Sequence, residues 1–517
     1  MRLREVFRYE LGYRLRSPST WAYAAFLFLV MCWGLAATAD GGGAVAANAP
    51  LAVAQGTALF GGVFGLLVSA ALFGDAAIRD AAAGMDPLLY TTRLRRAEYL
   101  GGRFLAALAT NALVVLAVPL GFWVATVTPL LDAEAVGPFR LAAYLQPLLL
   151  FLLPNLVLVG AILFTIGTVA RQVIPVYLGA AGVFIGYIVA ANYWSRIGSP
   201  TLSALADPLG INALLAMNRY RTPSELETRL IGFPAMLVWN RVLWLAVAAA
   251  VLAGLHRGFR FAHADGAGRR RRGRGAAVAA PPEGRWQGIV PRVPGVFGRR
   301  TRLRQTLAVA RRSLAEAVSG PAFPVALAGA VGLVLLWGWN VGDTAFDTST
   351  WPVTHLVVAK VLSERSAFIP WLVIALYAGE LVWKDREVGA AEIADAVPVP
   401  TAAVLLGRFL ALVAVILAFH AAFMAGGLLL QALQGYHRFE LGLYLRVLFG
   451  LNLAGHVLLA ALAMAVHVLV NQKYVGHIVV LMACAFSVVG VQMGFPELAV
   501  YNGGPRWTYS DMNGFGP

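Results

Sequence analysis

The stretch FLAALATNALVVLAVPLGFWVATVT, residues 104–128, carries no charged side chain. A helix of about 20 apolar residues is long enough to span the hydrocarbon core of a bilayer, which is about 30 Å thick. No water is present there to bond the backbone, so a crossing segment must be a helix or part of a closed barrel. Barrel strands alternate apolar and polar residues over about 10 positions, unlike this stretch. The sequence therefore predicts a transmembrane helix over 104–128.

Similar apolar runs recur along the whole chain, which is 59% hydrophobic and only 13% charged. A soluble protein of ordinary composition carries roughly 25% charged residues. The predicted fold class is therefore all-α, a polytopic integral membrane protein with about 11 transmembrane helices. The predicted crossings are 21–39, 51–73, 104–128, 145–169, 173–192, 236–256, 322–342, 366–383, 403–433, 443–470 and 474–494.

Loop charges predict the orientation of the chain in the membrane. Arginines and lysines collect in alternate loops, and the opposite loops carry acidic residues such as Asp40, Glu134 and Asp343. Cytoplasmic loops are enriched in basic residues, so the N-terminus is predicted to be cytoplasmic. The same rule accounts for the net charge of +15. The charge therefore predicts contact with the lipid bilayer and no nucleic-acid partner.

Two loop segments resemble each other without a gap at an offset of 305. GDAAIRDAAAGMDPLLYTTRLRRAEYLGGRFL spans 74–105, and GELVWKDREVGAAEIADAVPVPTAAVLLGRFL spans 379–410. Asp75 aligns with Glu380, and Arg79 aligns with Lys384. The identical pairs are Gly74/Gly379, Asp80/Asp385, Gly84/Gly389, Ala97/Ala402, Leu100/Leu405, Gly102/Gly407, Arg103/Arg408, Phe104/Phe409 and Leu105/Leu410. Each segment follows the second predicted crossing of its half, which indicates an internal repeat.

The repeat divides the chain into two parallel halves with the same predicted topology. Residues 1–256 form the first transmembrane repeat, 257–302 form a basic cytoplasmic linker, and 303–517 form the second repeat. The first half has six predicted crossings and the second has five, so a partner for 236–256 is missing. We expect that the chain is a fragment; the alternative is that the second half has diverged.

Each half opens with a basic segment whose apolar residues have helical spacing. Arg2-Leu3-Arg4 begins the first and Arg302-Leu303-Arg304 begins the second. Arginines interleaved with leucines suit a helix that lies in the membrane interface. We therefore expect an interfacial helix before the first crossing of each half.

The repeated segments are candidates for a cytoplasmic docking element. Their charged residues and glycines suit a short helix standing off the membrane, in which Asp80 and Asp385 cap or pair and Gly84 and Gly389 end the helix. Two such elements would offer equivalent contacts to a symmetric partner. The alternative is that both are polar turns that hold the arginines of a cytoplasmic loop.

On these residues the sequence resembles the permeases of ABC-2 type transporters. The likeness lies in the basic stretch LREVFRYELGYRLRSP (3–18), the Arg79-Asp80…Gly84 loop and Gly102-Arg103-Phe104. The resemblance implies a bacterial inner-membrane permease that moves a hydrophobic or amphiphilic solute, and whose two repeated loops dock a separate cytoplasmic ATPase. The coupling-loop residues that it implies are Arg79, Asp80, Gly84, Arg103, Lys384, Asp385, Gly389 and Arg408.

The double length and the tail Tyr509-Ser510-Asp511-Met512-Asn513-Gly514 add a narrower resemblance. They are similar to the membrane portion of bacterial permease fusions with an M1-family aminopeptidase. The resemblance implies a C-terminal peptidase domain in a longer parent protein. This sequence contains no His-Glu-x-x-His zinc motif, so we predict no peptidase activity for it.

No nucleotide or metal motif is present in the sequence. None of the three lysines, Lys360, Lys384 and Lys473, belongs to a Walker A motif, so ATP would be used by a partner subunit. We predict no cofactor, no metal and no enzyme activity for this chain. The two cysteines lie far apart in apolar runs and predict no disulfide framework.

Several polar residues fall inside the predicted crossings, where ionisable groups are costly and often functional. Asn155, Asn452, His456 and His467 are possible intramembrane polar sites. His456 and His467 are three helical turns apart and share a face, which suggests a haem or metal pair or a proton relay. The alternative is neutral side chains that hydrogen-bond between helices.

Other functions remain open at this stage. A secondary transporter would need no ATP, and usually has charged residues near the membrane midplane. A membrane enzyme would use the intramembrane histidines. A scaffold would position a fused or associated peptidase at the membrane without transporting a solute.

Overall fold

The computed structural model describes most of the chain. The described residues are 2–39, 45–85, 88–89, 91–131, 133–191, 199–261, 298–341, 350–387, 389–492, 501, 509 and 514–515. Most of the predicted linker and of the tail after the last crossing therefore lies outside the described residues.

Every regular element among the described residues is a helix, which confirms the all-α prediction. Short helices at Pro200–Ala206, Ile211–Asn218, Pro223–Thr228 and Ala391–Asp395 lie in loops. The longer helices are α1 Arg2–Arg16, α2 Pro18–Ala39, α3 Pro50–Ala82, α4 Arg96–Val127, α5 Leu141–Ala170, α6 Val173–Val189, α7 Ala235–Gly258, α8 Arg299–Val318, α9 Ala322–Gly338, α10 Thr354–Arg365, α11 Phe368–Glu387, α12 Thr401–Leu433, α13 Leu441–Val470 and α14 Lys473–Gln492.

Seven of the described helices are long and apolar enough to cross a membrane, and two bent pairs raise that number to nine. The pairs are α8 with α9, which meet at 71°, and α10 with α11, which meet at 45°. Each of the eleven predicted runs overlaps a helix, but the count of eleven crossings is not confirmed. α6 has 17 residues, which at 1.5 Å per residue falls short of about 30 Å. α14 has 20 residues but is not among the described helices that meet both the length and the apolarity of a span.

Wide π-helical turns interrupt four of the long helices. They lie at Thr57–Gly61 in α3, Leu148–Leu152 in α5, Val357–Arg365 in α10 and Leu445–Asn452 in α13. A π turn inserts one residue into the helix, so it rotates the faces on either side of it. The turns in α3 and α10 precede the two repeated segments at similar distances.

The helices of the first and second halves pack in matching pairs. α1 contacts α4 as α8 contacts α12, and α2 contacts α4 as α9 contacts α12. α3 contacts α4, α5 and α6, and α11 likewise contacts α12, α13 and α14. Two helices pack closely where small residues of one lie opposite large side chains of the other. Identical glycines are these small residues where α1 and α2 meet α4, and where α8 and α9 meet α12. The two sets of helices therefore share one pattern of neighbours.

Contacts between the two sets are reciprocal. α2 packs on α14, and α6 packs on α9, so each of the matching helices α2 and α9 meets the helix of the other set that matches its counterpart's partner. Trp33 and Phe486 join the first pair, with ring centroids 5.7 Å apart. Tyr177 of α6 faces His477 of α14 at 6.4 Å, and these residues occupy matching positions in their sets. Such i-to-j and j-to-i contacts are typical of a two-fold arrangement.

The two sets differ in what packs beside the matching helices α5 and α13. In the first set α7 packs on α5, and Phe259 after α7 stacks on Tyr99 of α4 with centroids 5.9 Å apart. The space that remains there is about 10 Å³. Between α12 and α13 an apolar groove of about 600 Å³ is open, with Leu405, Phe409 and Met464 in its walls.

Candidate functional site: the two repeated segments

Each repeated segment is held by a basic helix that crosses it at a glycine. A Cβ on Gly102 of α4 would lie 2.8 Å from Val6 Cβ and 3.2 Å from the Leu3 carbonyl oxygen of α1. A Cβ on Gly407 of α12 would lie 2.7 Å from Val309 Cβ of α8. Only glycine permits these close approaches, so the Gly-Arg-Phe motif seats a basic helix on each spanning helix.

The seating also shows the register of α8. The alignment of Arg2-Leu3-Arg4 with Arg302-Leu303-Arg304 pairs Leu3 with Leu303, but the carbonyl group that faces Gly407 belongs to Thr306. The structurally matching register is therefore three residues further along. Arginine-rich segments of low complexity align equally well in several registers, and the glycine contact selects one of them.

A buried ion cluster braces the first repeated segment. Arg79 of α3 donates to Glu10 of α1 at 2.5 Å, and Arg14 Nη2 lies 2.9 Å from Asp75 Oδ2. Arg103 of α4 pairs with Asp80 of α3, and its Nε lies 3.6 Å from Glu10 Oε1. Three carboxylates therefore neutralise three guanidinium groups. The cluster ties α1, the end of α3 and the start of α4 together.

The cluster is almost closed to solvent. Glu10, Arg14 and Arg103 are 5%, 3% and 2% exposed. The Tyr99 hydroxyl donates to Asp80 Oδ2 at 2.8 Å and accepts from Arg103 Nη1 at 2.9 Å. Breaking one buried ion pair leaves an uncompensated charge, which is strongly destabilising. These contacts therefore fix the base of the first loop.

The second repeated segment keeps only part of this arrangement. Arg408 of α12 pairs with Asp385 of α11, as Arg103 pairs with Asp80. Lys384 reaches Glu316 of α8 at 3.1 Å, as Arg79 reaches α1, but both side chains are over one-third exposed. Exposed pairs of this kind contribute about 0–1 kcal/mol. The second loop is therefore anchored in the same directions, with weaker ties.

In the second segment a lysine from α14 supplies the cation that α1 supplies in the first. Lys473 at the start of α14 is 5% exposed, and its Nζ lies 2.7 Å from Glu380 and 2.8 Å from Glu387. In the first segment the aligned carboxylate, Asp75, is instead paired with Arg14 of α1. The two segments therefore hold the same acidic position with cations from different helices.

Gly84 and Gly389 have the same left-handed conformation, with φ of +64° and +67°. Each follows the end of a long helix, α3 or α11, and its loop then bonds back: the Met85 N–H to the Asp80 carbonyl and the Ala390 N–H to the Asp385 carbonyl, both at 2.8 Å. Glycine at this position ends a helix without the cost of a Cβ. The glycines therefore end the long helices α3 and α11 and not a short loop helix. Of the two roles expected for the aspartates, capping and pairing, the contacts show pairing, with Arg103 and Arg408.

Aligned apolar side chains project from the two loops. Leu88 is 64% exposed, and Ile393, its partner at the offset of 305, is 73% exposed. Ile393 lies on the short helix Ala391–Asp395. Met85 and Val397 are also about half exposed beside them. An apolar side chain at the tip of a charged loop is a candidate protein contact.

Asn155 and Asn452 both bond to neighbouring segments. Asn155 donates to the Leu209 carbonyl at 3.0 Å and accepts from Arg241 of α7 at 2.7 Å. Asn452 donates to the Ser363 hydroxyl at 3.0 Å. These contacts match the alternative that such side chains hydrogen-bond between helices.

A buried carboxylate lies beside the Asn155 contact. Asp207, in the loop before α7, is fully buried and accepts from the backbone N–H groups of Leu209 and Asn212. Burial raises its pKa, and the backbone hydrogen bonds oppose that shift. The Asn240 amide in turn donates to the Asp207 carbonyl at 2.8 Å. The network holds the loop on α5 and α7.

The intramembrane histidines form two separate pairs. His456 Nδ1 lies 3.2 Å from His420 Nε2, and His420 Nδ1 lies 2.9 Å from the Ile416 carbonyl oxygen. A carbonyl only accepts, so neutral His420 carries its proton on Nδ1 and accepts from His456. His467 instead packs on His477, with centroids 4.8 Å apart. His456 and His467 are therefore not partners in one site.

No group of three or more His, Cys, Asp or Glu side chains suited to a metal occurs among the described residues. The His467–His477 pair lies at the contact between the two sets, with the His477 Nδ1 group 2.8 Å from the Ala375 carbonyl oxygen. A Cβ on Gly379 would lie 2.2 Å from His477 Cε1. Glycine therefore makes room for this pair.

Several residues of the site were not identified from the sequence. Glu10, Arg14, Tyr99 and Lys473 complete the ion clusters, and the sequence analysis assigned none of them to the site. One signal was available: Glu10 is an acidic residue in a segment otherwise rich in arginine, and it lies on an apolar stripe. Comparison with protein-family models and with curated protein sequences finds no match.

Proposed function

We propose that this chain is the membrane-spanning permease subunit of an ATP-driven transporter of the ABC-2 type. A separate cytoplasmic ATPase would dock on residues 75–103 and 380–408, and the chain would move a hydrophobic or amphiphilic solute across a bacterial inner membrane. The proposal includes two parallel repeats and a cytoplasmic N-terminus. The matching helix neighbours and the two left-handed glycines support the repeats.

One observation carries the proposal: Leu88 and Ile393 are aligned, exposed and supported by matching bases. Each apolar side chain follows a left-handed glycine, and each base is tied to the next spanning helix by an Arg–Asp pair. Two apolar tips whose bases are tied to spanning helices can transmit the motion of a two-lobed partner to those helices. A loop whose only role is to carry the arginines that set membrane orientation needs neither an exposed apolar tip nor an Arg–Asp pair at its base.

The experiment replaces both tips, because they are exposed and their loss should leave the fold intact. We expect that Leu88→Ser/Ile393→Ser abolishes co-purification of a nucleotide-binding subunit that wild type retains, and lowers solute-dependent ATP hydrolysis at least about tenfold. The retained subunit is identified by photolabelling with azido-ATP. Thermal unfolding in detergent verifies that the variant is folded.

The control is Leu130→Ser/Phe233→Ser, which removes exposed apolar side chains from loops at the opposite end of the helices. It should keep the subunit. If well-folded wild type retains no ATP-binding chain, the permease proposal fails. A secondary transporter or a scaffold for a peptidase would then account better for the membrane fold.

A further inference from the structure

The two loops carry opposite charge around their matching apolar tips. Residues 82–96 contain Asp86 and the arginines Arg93, Arg95 and Arg96, so three positive charges minus one negative give +2. The aligned residues 387–401 contain Glu387, Glu392 and Asp395 and no basic residue, which gives −3. The apolar tips Leu88 and Ile393 therefore align, but the charged residues around each tip, its rim, differ in sign.

These charges face outward in the structure. Arg93, Arg95 and Arg96 are exposed, and so are Glu392 and Asp395, whereas Glu387 is paired with Lys473 at 2.8 Å. Glu98, which follows the first loop, is used to accept from the Arg95 backbone N–H at 2.9 Å. Arg386, which precedes the second loop, donates to Asn471 at 2.6 Å and lies over the Trp383 ring. The basic rim of Leu88 and the acidic rim of Ile393 are therefore available to a partner.

Membrane orientation accounts for only one of the two rims. Positive residues are enriched in cytoplasmic loops, which explains the arginines beside Leu88. In the second segment Lys384, Arg386 and Arg408 meet the same rule, which places no demand on acidic residues. Membrane orientation therefore does not account for Glu392 and Asp395 beside Ile393.

We propose that the ATPase partner presents two different docking pockets, one with an acidic rim for Leu88 and one with a basic rim for Ile393. The inference rests on the proposed function and adds the identity of the partner to it. Two identical subunits would offer the same rim twice, and one of the two contacts would then bring like charges together. Like-charge contacts are unfavourable and exclude wrong partners. The partner is therefore a pair of non-identical ATPase domains.

The test captures each contact separately in the complex of the full chain with its ATPase. Leu88→Cys and Ile393→Cys are labelled one at a time with a maleimide benzophenone, since the native Cys32 and Cys484 are buried. After photolysis, the ATP-binding polypeptide is digested and the cross-linked peptides are sequenced. We expect peptides of different sequence, rich in acidic residues for Leu88 and in basic residues for Ile393.

Charge reversal supplies a second measurement that does not depend on peptide identification. Glu392→Lys/Asp395→Lys should reduce capture from Ile393→Cys at least about tenfold and leave capture from Leu88→Cys unchanged. The control site is Tyr220→Cys, which is 87% exposed at the opposite end of the helices and should capture no ATPase.

The outcomes separate this inference from the proposed function. Identical ATPase peptides from both positions would overturn the inference and leave the permease function standing. The inference would also be overturned if charge reversal left capture of the ATPase unchanged at both positions. Absence of any ATP-binding polypeptide at either position would overturn the proposed function, and the inference with it.

Discussion

Glu10 is the residue on which the first ion cluster depends. It receives Arg79 at 2.5 Å, lies 3.6 Å from Arg103 and has Arg14 one turn away in α1. Asp75 pairs with Arg14 and lies 3.9 Å from Arg79, and Asp80 pairs with Arg103. Loss of the Glu10 charge would therefore leave three guanidinium groups with only two carboxylates.

We expect that Glu10→Gln destabilises the protein by about 3–5 kcal/mol, the range for breaking a buried ion pair from one side. The measurement is denaturant unfolding in detergent, followed by circular dichroism. Glu5→Gln is the matched control on the same helix, and since Glu5 is exposed it should change stability by less than about 0.5 kcal/mol. Equal effects of the two substitutions would contradict the cluster.

At the scale of elements, the basic helices α1 and α8 are positioned by glycines on α4 and α12, which have no side chain to keep the helices apart. Gly102 meets the backbone of α1 at Leu3, and Gly407 meets the backbone of α8 at Thr306. Gly101, next to Gly102, faces only the Leu3 side chain, at an ordinary 3.4 Å. The helix seat is therefore specific to one glycine of the pair.

We expect that Gly102→Ala lowers stability by about 1–3 kcal/mol, because the added methyl group must push α1 away from α4 and strain the ion cluster. Gly101→Ala should be neutral or slightly stabilising, since alanine favours a helix over glycine. Thermal unfolding of both variants in the same detergent compares them. The seat would be refuted if the two alanine variants unfolded at the same temperature.

At the scale of the whole molecule, the two sets of helices adhere through their own surfaces. α2 packs on α14 and α6 packs on α9, and Phe184 and Phe368 meet with centroids 5.7 Å apart. Aromatic pairs of this geometry add about 0.5–1.5 kcal/mol to packing. We therefore expect the sets to hold together without a covalent connection.

We expect that cleavage of the chain within 262–297, at an inserted site for a sequence-specific protease, leaves both fragments in one complex in mild detergent. Phe184→Ala/Phe486→Ala should release the fragments at lower detergent concentration, because both rings lie between the sets. Leu429→Ala/Leu445→Ala, on exposed faces of α12 and α13, is the control. The readout is co-elution of the two fragments on size exclusion. Immediate separation of the fragments that carry no alanine substitution would disprove the packing.

The sequence by itself determined the class of the molecule and the positions of its helices. Long apolar runs are local, and a segment such as 104–128 has few alternatives to a helix, so α4 at Arg96–Val127 follows from composition. Repeated Gly-Arg-Phe and Asp residues also identified two equivalent places, because identical neighbours produce the same local backbone at Gly84 and Gly389.

Only the tertiary structure decided which charges are buried and which partners they take. Glu10 and Glu5 are both acids in a basic helix, yet one is buried against α3 and α4 and the other is exposed. His456 bonds to His420 of α12 and His467 packs on His477 of α14, because the two positions of α13 face different neighbouring helices. Partner choice depends on residues far apart in the chain, and the free energy of a buried charge depends on all of them at once.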